Sequence, residues 1–355
     1  MSRCRCVRPF IGVGTQPLEV TLETSPTSVL AAALGLGAPY RCVVLGPRDS
    51  GRSVALASMV RTGSCVDAPH TRIALLSMEE GREVLARARA QLRTPPAPAE
   101  ARPELPAVAL RHVAPARGFF ERERPVDLVF EAPDRDGAAL FQDLEGGRCP
   151  AAVARAVRRV DTHDGVIFCL DAGDRRAGLH LRRALDAVEA SEDEIPTEPL
   201  RGAPPPVRRV LLLLNKVDRL VSWVSPHASP VRMAGALDPL NQAEALVGAA
   251  TLRRMARLAG PRGQVAVGLC AGWGFCERTG LSYWDQHTGV HRAAWHPVEE
   301  DELEGWRPFG VREALLFLAR GQSGGALRTF RVEDLSASGY LQDEPTQPIL
   351  PGTGL

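Results

Sequence analysis

Short apolar runs alternate along the chain with longer segments in which apolar residues recur every three or four positions. The runs have the length of strands, and the strongest are Tyr40–Leu45, Gly165–Asp171 and Arg209–Leu214. The periodic segments are typical of amphipathic helices, and Arg176–Ala190 is the clearest of them. Alternation of buried strands with helices is the signature of a doubly wound sheet. The pattern therefore predicts an α/β fold with a mostly parallel sheet of about six strands and helices on both faces.

Further segments continue this alternation. Strands are also expected at Arg72–Ser77, Val108–Val113, Asp127–Phe130 and Gln264–Cys270. Helices are also expected from Gly51 to about Arg61 and at Glu79–Leu92, Pro150–Val160, Ala243–Ala259 and Val311–Leu318. Each segment has the length and apolar spacing of its element type.

The predicted elements group into one α/β domain that spans residues 39–321. An irregular polar segment, 1–38, precedes this domain. A Pro/Ala-rich stretch, 94–106, interrupts it and is expected to form a loop. An aromatic-containing insert, 272–308, separates its last two elements. The weakly patterned tail, 322–355, is expected to be partly disordered.

Composition and charge narrow the function classes. Hydrophobic residues make up 45% of the chain and charged residues 24%, as in globular proteins with a sizeable core. The formal net charge is +1, which argues against broad electrostatic capture of nucleic acid or of an anionic membrane. No secretory signal is recognised, and the longest apolar run is far too short to span a bilayer. The eight cysteines indicate neither a disulfide framework nor a metal site, which favours a reducing, cytoplasmic setting.

A glycine-containing turn between the first strand and the next helix carries the first candidate chemistry. Its sequence is Gly46-Pro-Arg-Asp-Ser-Gly51-Arg52-Ser53. In a phosphate loop, glycines let backbone N–H groups turn inward around the phosphates, and the helix N-terminus favours the anion. Lys normally reaches the outer phosphates, but here that position holds Arg52, whose planar head is bulkier. The candidate phosphate-binding residues are Gly46, Asp49, Ser50, Gly51, Arg52 and Ser53; the alternative is a chance Gly-rich turn.

The second motif, Asn215-Lys216-Val217-Asp218, directly follows the strand Arg209–Leu214. A carboxylate at Asp218 accepts hydrogen bonds from guanine N1–H and the exocyclic amine, donors that adenine does not present in that arrangement. The Asn215 side chain tethers neighbouring loops, and the Lys216 stem covers the base. The alternative is an ordinary strand-to-helix turn, where Asn and Asp are favoured. Because both motifs follow predicted parallel strands, they meet at the sheet edge where ligands bind.

The chain resembles a P-loop GTPase of the translation-factor/Ras-like class, and most resembles the prokaryotic double-GTPase group associated with bacterial conflict and regulatory systems. The resemblance covers roughly residues 40–320. It is carried by the strings Val43–Pro47, Ser50–Ser53, Asp127–Asp134, Asp164–Asp171, Leu211–Asp218 and Trp306–Val311. The resemblance implies a guanine nucleotide and Mg²⁺ as ligands, with Ser53 as a Mg²⁺ ligand.

The resemblance also implies residues that complete the site. Thr94 is the candidate for the Thr of the first switch that binds Mg²⁺, although it is also a plain helix-ending Thr before Pro. Cys270 and Ala271 follow the last strand, where relatives pack a small residue and a backbone N–H against guanine. A core Cys followed by a turn is the alternative.

Departures from the family pattern affect hydrolysis. In such proteins the strand after the first switch ends in Asp-x-x-Gly, whose Asp supports Mg²⁺ and whose Gly amide touches the terminal phosphate. The matching stretch is Glu131-Ala-Pro-Asp134, so Glu131 takes the metal-supporting position and Asp134 brings a carboxylate toward the phosphate. A competing alignment uses Asp134-Arg-Asp-Gly137, which lies beyond the strand end. No residue is assigned the water-positioning or any other catalytic role.

These features predict a guanine-nucleotide (GTP/GDP) binding protein with Mg²⁺ and slow or partner-dependent hydrolysis, acting as a regulatory switch or scaffold. The alternatives are an active GTPase, a pseudo-GTPase interaction module that binds no nucleotide, and a P-loop ATPase or kinase, against which Asp218 argues. A protein partner is expected at the switch regions or at the 272–308 insert. Neither nucleic acid nor a membrane is expected as a partner.

Overall fold

The structure of the protein is a computed structural model, which describes residues 39–64, 72–75, 108–113, 125–141, 150–192, 207–222, 230–276, 280, 282, 284–285, 290–291 and 305–335. Three predicted segments lie outside these residues: the N-terminal segment 1–38, the helix at Glu79–Leu92 and the Pro/Ala-rich stretch 94–106. The tail is described as far as Leu335.

A mostly parallel sheet forms the centre of the fold. Its strands are, in chain order, β1 (Tyr40–Leu45), β2 (Arg72–Leu75), β3 (Val108–Val113), β4 (Pro125–Glu131), β5 (Gly165–Asp171), β6 (Arg209–Asn215), β7 (Gln264–Leu269) and β12 (Leu327–Phe330). Across the sheet the order is β12-β7-β6-β5-β1-β4-β3-β2. The five central strands, from β7 to β4, are parallel, and β12, β3 and β2 add antiparallel edges.

Helices cover both faces of this sheet. They are α1 (Arg52–Ser64), α2 (Asp134–Ala139), α3 (Pro150–Thr162), α4 (Ala177–Glu192), α5 (Val217–Ser222), α6 (Pro230–Ala236), α7 (Pro239–Val247), α8 (Ala249–Ala259) and α9 (Val311–Arg320). Helices α1 and α9 bury apolar residues against one face, whereas α3 to α8 bury theirs against the other. The α/β prediction with helices on both faces is confirmed, and the sheet is wider than predicted.

Strand β5 illustrates why the central strands read as continuous apolar runs. Its alternate side chains enter opposite core layers: Phe168 and Leu170 pack with α3 and α4, and Ile167 and Cys169 pack with α1 and α9. A strand buried on both faces needs apolar residues at every position. The same requirement explains the run in β6.

Several elements differ from the sequence-based expectation, among them the short helices α2, α5 and α6, which were not predicted. The single helix predicted at Ala243–Ala259 is instead two helices, α7 and α8, because Gly248 adopts φ 81° between them. Strand β12 was not predicted, and it pairs with β7 from Leu327 opposite Gly268 to Phe330 opposite Val265.

The insert after β7 begins and ends with paired strands. Strand β8 (Ala271–Cys276) pairs antiparallel with β11 (Trp306–Phe309), and β9 (Trp284–Asp285) pairs with β10 (Val290–His291). Within the part of the chain that is described, no helix has both the length and the apolarity of a membrane span.

Candidate nucleotide-binding site

The candidate residues lie in loops at the carboxyl ends of four neighbouring parallel strands, β1, β5, β6 and β7. In the register of β5 and β6, Asp171 lies opposite Asn215. Strand β7 ends at the same edge. Cys270, which follows it, donates its N–H to the Leu214 carbonyl at 2.7 Å, and the Cys270 carbonyl accepts from Val217 N–H at 3.1 Å. Open α/β sheets bind ligands at this edge.

The loop between β1 and α1 has the tight backbone that a phosphate loop needs. Asp49 and Gly51 adopt φ values of 62° and 84°. A Cβ atom on Gly46 would lie 2.2 Å from the Cys169 carbonyl oxygen. One on Gly51 would lie 2.2 Å from Asn215 Nδ2, so neither position accepts a side chain without a shift. Ser50 is 1% exposed, and its Oγ has no hydrogen-bond partner among the described residues.

Arg52, the first residue of α1, connects the loop to the segment that follows β4. Its side chain is buried, and Nη1 donates a hydrogen bond to the Pro133 carbonyl, 3.0 Å away. The guanidinium also lies against α2, because a Cβ on Gly137 would be 2.6 Å from Nη1. Arg52 therefore connects the loop before α1 with the segment that follows β4.

Asn215 connects the base motif to the phosphate loop. Its Nδ2 donates to the Ser50 and Gly51 carbonyls at 3.1 Å each, and its Oδ1 accepts from Lys216 N–H at 2.9 Å. The side chain is buried, so these bonds are shielded from water. The two motifs that the sequence separates by more than 160 positions are thus in direct contact.

Lys216 adds a second connection. It adopts φ 62°, and its ammonium donates to the Asp49 carbonyl and to Asp171 Oδ2, the latter at 2.8 Å. Arg219 Nη1 donates to the same Asp171 oxygen at 3.0 Å. Asp171 therefore belongs to the site, although the sequence pattern placed it only as the last residue of a strand. An acidic residue ending a fully apolar parallel strand was the available signal.

Asp218 lies in the first turn of α5 and is only 4% exposed. Burial, which penalises the charged form, raises the pKa of this carboxyl to about 7. Its own backbone hydrogen bond and Arg219 act in the opposite direction. A buried carboxyl at this edge has the chemistry to accept from two N–H donors of a base.

The predicted metal residues are placed unequally. Ser53 is the second residue of α1 and is partly exposed, whereas Thr94 lies outside the described residues. Glu131 is buried at the end of β4, and its Oε2 lies 3.3 Å from Arg159 Nε and 3.6 Å from His163 Nε2. The Arg159 guanidinium competes with a metal ion for the carboxylate. The described residues contain no group of three His, Cys, Asp or Glu side chains able to hold a metal.

Both alignments of the segment after β4 can be followed in the structure. Glu131 ends the strand, as the first alignment requires, and Pro133 is the N-cap residue of α2. The competing string from Asp134 to Gly137 lies within α2. There, Asp136 accepts from Arg155 at 2.9 and 3.1 Å and from Arg159 at 2.8 Å.

The guanine-loop candidates Cys270 and Ala271 are buried, and the backbone of Cys270 is hydrogen-bonded to Leu214 and Val217. Burial raises the pKa of the Cys270 thiol well above its usual value, so the thiol stays protonated and apolar. Their contact with a base stays a prediction.

No protein-family model and no curated protein matches this chain. Among solved structures, it is similar to the signal recognition particle receptor SRb–GTP/SRX complex from Chaetomium thermophilum, with 12% identity, a TM-score of 0.30, and coverage of 67% of this chain and 93% of that one. It is similar to the S. cerevisiae Ski7 GTPase-like domain, whose structure is bound to GDP and inorganic phosphate, with 12% identity and a TM-score of 0.35. That match covers 82% of this chain and 52% of the Ski7 chain. It is also similar to the G domain of the T. maritima FeoB iron transporter, with 9% identity and a TM-score of 0.24. That match covers 66% of this chain and 89% of the FeoB chain.

These similarities are remote in sequence and in shape, and the fold assignment rests on the chain's own strand order and loops. Five parallel strands lie between antiparallel edges, a glycine-containing loop leads from β1 into α1, and Asn215 bonds to that loop. The chain thus has a Ras-like P-loop α/β fold, of the kind found in GTPase domains.

Proposed function

We propose that the protein binds GTP and GDP with Mg²⁺ and hydrolyses GTP slowly or only with a partner, acting as a regulatory switch or scaffold. The observation that carries this proposal is the contact between Asn215 and the Ser50 and Gly51 carbonyls. This contact brings a base-reading motif and a phosphate loop together at one sheet edge.

Guanine is the base that fits the residues best. The Asp218 carboxyl is buried, so hydrogen bonds that it accepts from N1–H and the C2 amine are worth more than they would be in water. Adenine offers no such pair of donors, which argues against an ATPase or kinase.

Contacts of the phosphate loop support slow hydrolysis. Arg52 donates to the Pro133 carbonyl, so part of its hydrogen-bonding capacity serves the protein. Glu131, at the metal-supporting position, pairs with Arg159, and its Oε2 lies 3.6 Å from His163 Nε2. The same contacts favour one rival, a pseudo-GTPase that keeps the fold and binds no nucleotide.

A switch or scaffold needs a partner surface. We propose that a protein binds at the segment after β4 or at the 272–308 insert, in a cytoplasmic setting. Among the described residues, Cys42, Cys169, Cys270 and Cys276 form no disulfide, which is compatible with a reducing compartment. Kinship with the bacterial double-GTPase group is part of the same proposal.

Base specificity is the direct test of nucleotide binding. Dissociation constants for GDP, ADP and xanthosine diphosphate would be measured with Mg²⁺ by calorimetry, for the wild type and for Asp218→Asn. We expect the wild type to prefer GDP over ADP by roughly 100-fold, the value of two hydrogen bonds to a charged group. Asp218→Asn should lose this preference and gain affinity for xanthosine diphosphate, because the amide can donate to the C2 carbonyl of xanthine.

Asp186→Asn is the matched control, since that carboxylate is exposed and pairs with Arg254 on a different face. It should bind GDP as the wild type does. If the wild type showed no preference for GDP over ADP, the proposal would be wrong. Absence of any nucleotide binding would favour the rival, a pseudo-GTPase that keeps the fold.

A further inference from the structure

The carboxylate of Asp171 is held in one orientation by three donors, one from the loop after β5, one from the residue after β6 and one from α5. Its Oδ2 accepts from Lys216 Nζ at 2.8 Å and from Arg219 Nη1 at 3.0 Å, and its Oδ1 accepts from Gly173 N–H at 2.8 Å. The side chain is 14% exposed, so these bonds are partly shielded from water. Charge-assisted bonds of this kind are stronger than neutral ones.

Lys216 needs such an anchor. A lysine side chain has several rotatable bonds and a strongly hydrated ammonium, so fixing its position costs conformational entropy. Here the ammonium bridges the Asp171 carboxylate and the Asp49 carbonyl. Asp49 itself adopts φ 62° at the tip of the phosphate loop, a conformation that a non-glycine residue rarely takes.

The strand register supplies the anchor at the required place. Asp171 lies opposite Asn215 in the parallel pair β5 and β6, and Ala172 N–H donates to the Asn215 carbonyl at 2.8 Å. The Asp171 side chain therefore leaves the sheet edge next to the residue that precedes Lys216.

We propose that Asp171 is a positioning residue of the nucleotide site, whose carboxylate holds the Lys216 ammonium between the base motif and the phosphate loop. The inference rests on the proposed function, because it gives Lys216 a role toward a bound nucleotide. Through Lys216, Asp171 orders the loop tip at Asp49 and keeps the lysine stem where it covers a base.

The rival explanation is that Asp171 serves only the fold, through its pairing with Arg219. A double-mutant cycle separates the two. GDP and inosine diphosphate affinities would be measured for Asp171→Asn, for Lys216→Met and for the double variant. Asn keeps the shape of the side chain and can still accept from Gly173 N–H.

Asp171→Asn should weaken binding of both nucleotides by about 10-fold, because the lysine stem covers guanine and hypoxanthine alike. In the Lys216→Met background the same change should have no further effect. If it still weakens binding about 10-fold there, Asp171 acts by another route and the inference is wrong. If Lys216→Met does not fold, the cycle is measured with Lys216→Gln instead.

Asp127→Asn is the matched control. Its carboxylate is similarly buried, at 16% exposure, and pairs with Arg111 through two bonds of 2.6 and 2.8 Å, but it lies on β4 away from the carboxyl end. GDP affinity should be unchanged in this variant. An equal loss in both variants would show a general effect of removing a paired carboxylate and would overturn the inference.

Hydrogen exchange of the unliganded protein tests the same contact without a nucleotide. Amides of residues 48–51 should exchange faster in Asp171→Asn than in Asp127→Asn or the wild type, because the ammonium no longer holds the Asp49 carbonyl. If the wild type bound no guanine nucleotide, the proposed function would fail while this measurement still decided the positioning role. Unchanged exchange would refute that role.

Discussion

Asp218 is a residue at which stability and binding conflict. Its carboxyl is buried, and burial raises its pKa to about 7, so the protonated form is favoured in the folded protein. Accepting hydrogen bonds from guanine requires the ionised form. Under the proposed function, Asp218 costs folding free energy at neutral pH and serves base recognition, which is a common arrangement at functional sites.

The pH dependence of stability tests this arrangement. A carboxyl with a folded pKa of about 7 and an ordinary unfolded pKa makes its full contribution to stability at low pH. That contribution is lost as pH rises toward 7. Without nucleotide at pH 8, urea unfolding should therefore give Asp218→Asn a free energy of unfolding higher than that of the wild type by roughly 1–4 kcal/mol. At pH 5 the difference should be much smaller. Asp186→Asn should show no such trend, and a difference independent of pH would contradict the expectation.

At the scale of elements, the loop before α1 and the segment after β4 are connected more firmly than a freely moving switch requires. Arg52 bonds to Pro133, and Arg159 bridges Glu131 and Asp136 from α3. The space around the guanidinium is tight, since Gly137 admits no side chain there without a shift of Arg52. Motion of α2 on nucleotide exchange would have to break these bonds.

Arg52→Lys should loosen this connection and restore the usual phosphate ligand. A Lys ammonium is a compact charge that lacks the planar fork of Arg, so it is freer to leave the Pro133 carbonyl for the outer phosphates. We expect single-turnover release of phosphate from GTP to rise by roughly 10-fold. Arg254→Lys, on α8, is the control and should leave the rate unchanged. Equal or slower release in Arg52→Lys would indicate that the arginine already serves the phosphates.

The sequence predicted the centre of the molecule well and its edges poorly. Strands β5 and β6 are buried on both faces, so their apolar runs are unmistakable, and the loops that follow them were identified from the same pattern. Strand β12 was missed because it is only four residues long, and its two buried residues, Leu327 and Phe330, lie three positions apart on opposite faces of the sheet, which gives no strand periodicity. The role of Asp171 was not predicted, because its partners Lys216 and Arg219 lie more than 40 positions away in the chain. Such contacts depend on register, which composition and local periodicity do not contain.

Strand β12 also places the end of the folded unit beyond residue 321, where the sequence pattern ends the domain. Leu327 and Phe330 are buried against β7 and the core, so a chain ending at 321 would expose the edge of β7 and lose both side chains. We expect it to be less stable than a chain ending at 335 by roughly 3–6 kcal/mol, the value of burying two large apolar side chains. Urea unfolding of the two chains measures the difference. Equal midpoints would mean that β12 adds nothing to the sheet and that the domain ends where the apolar periodicity does.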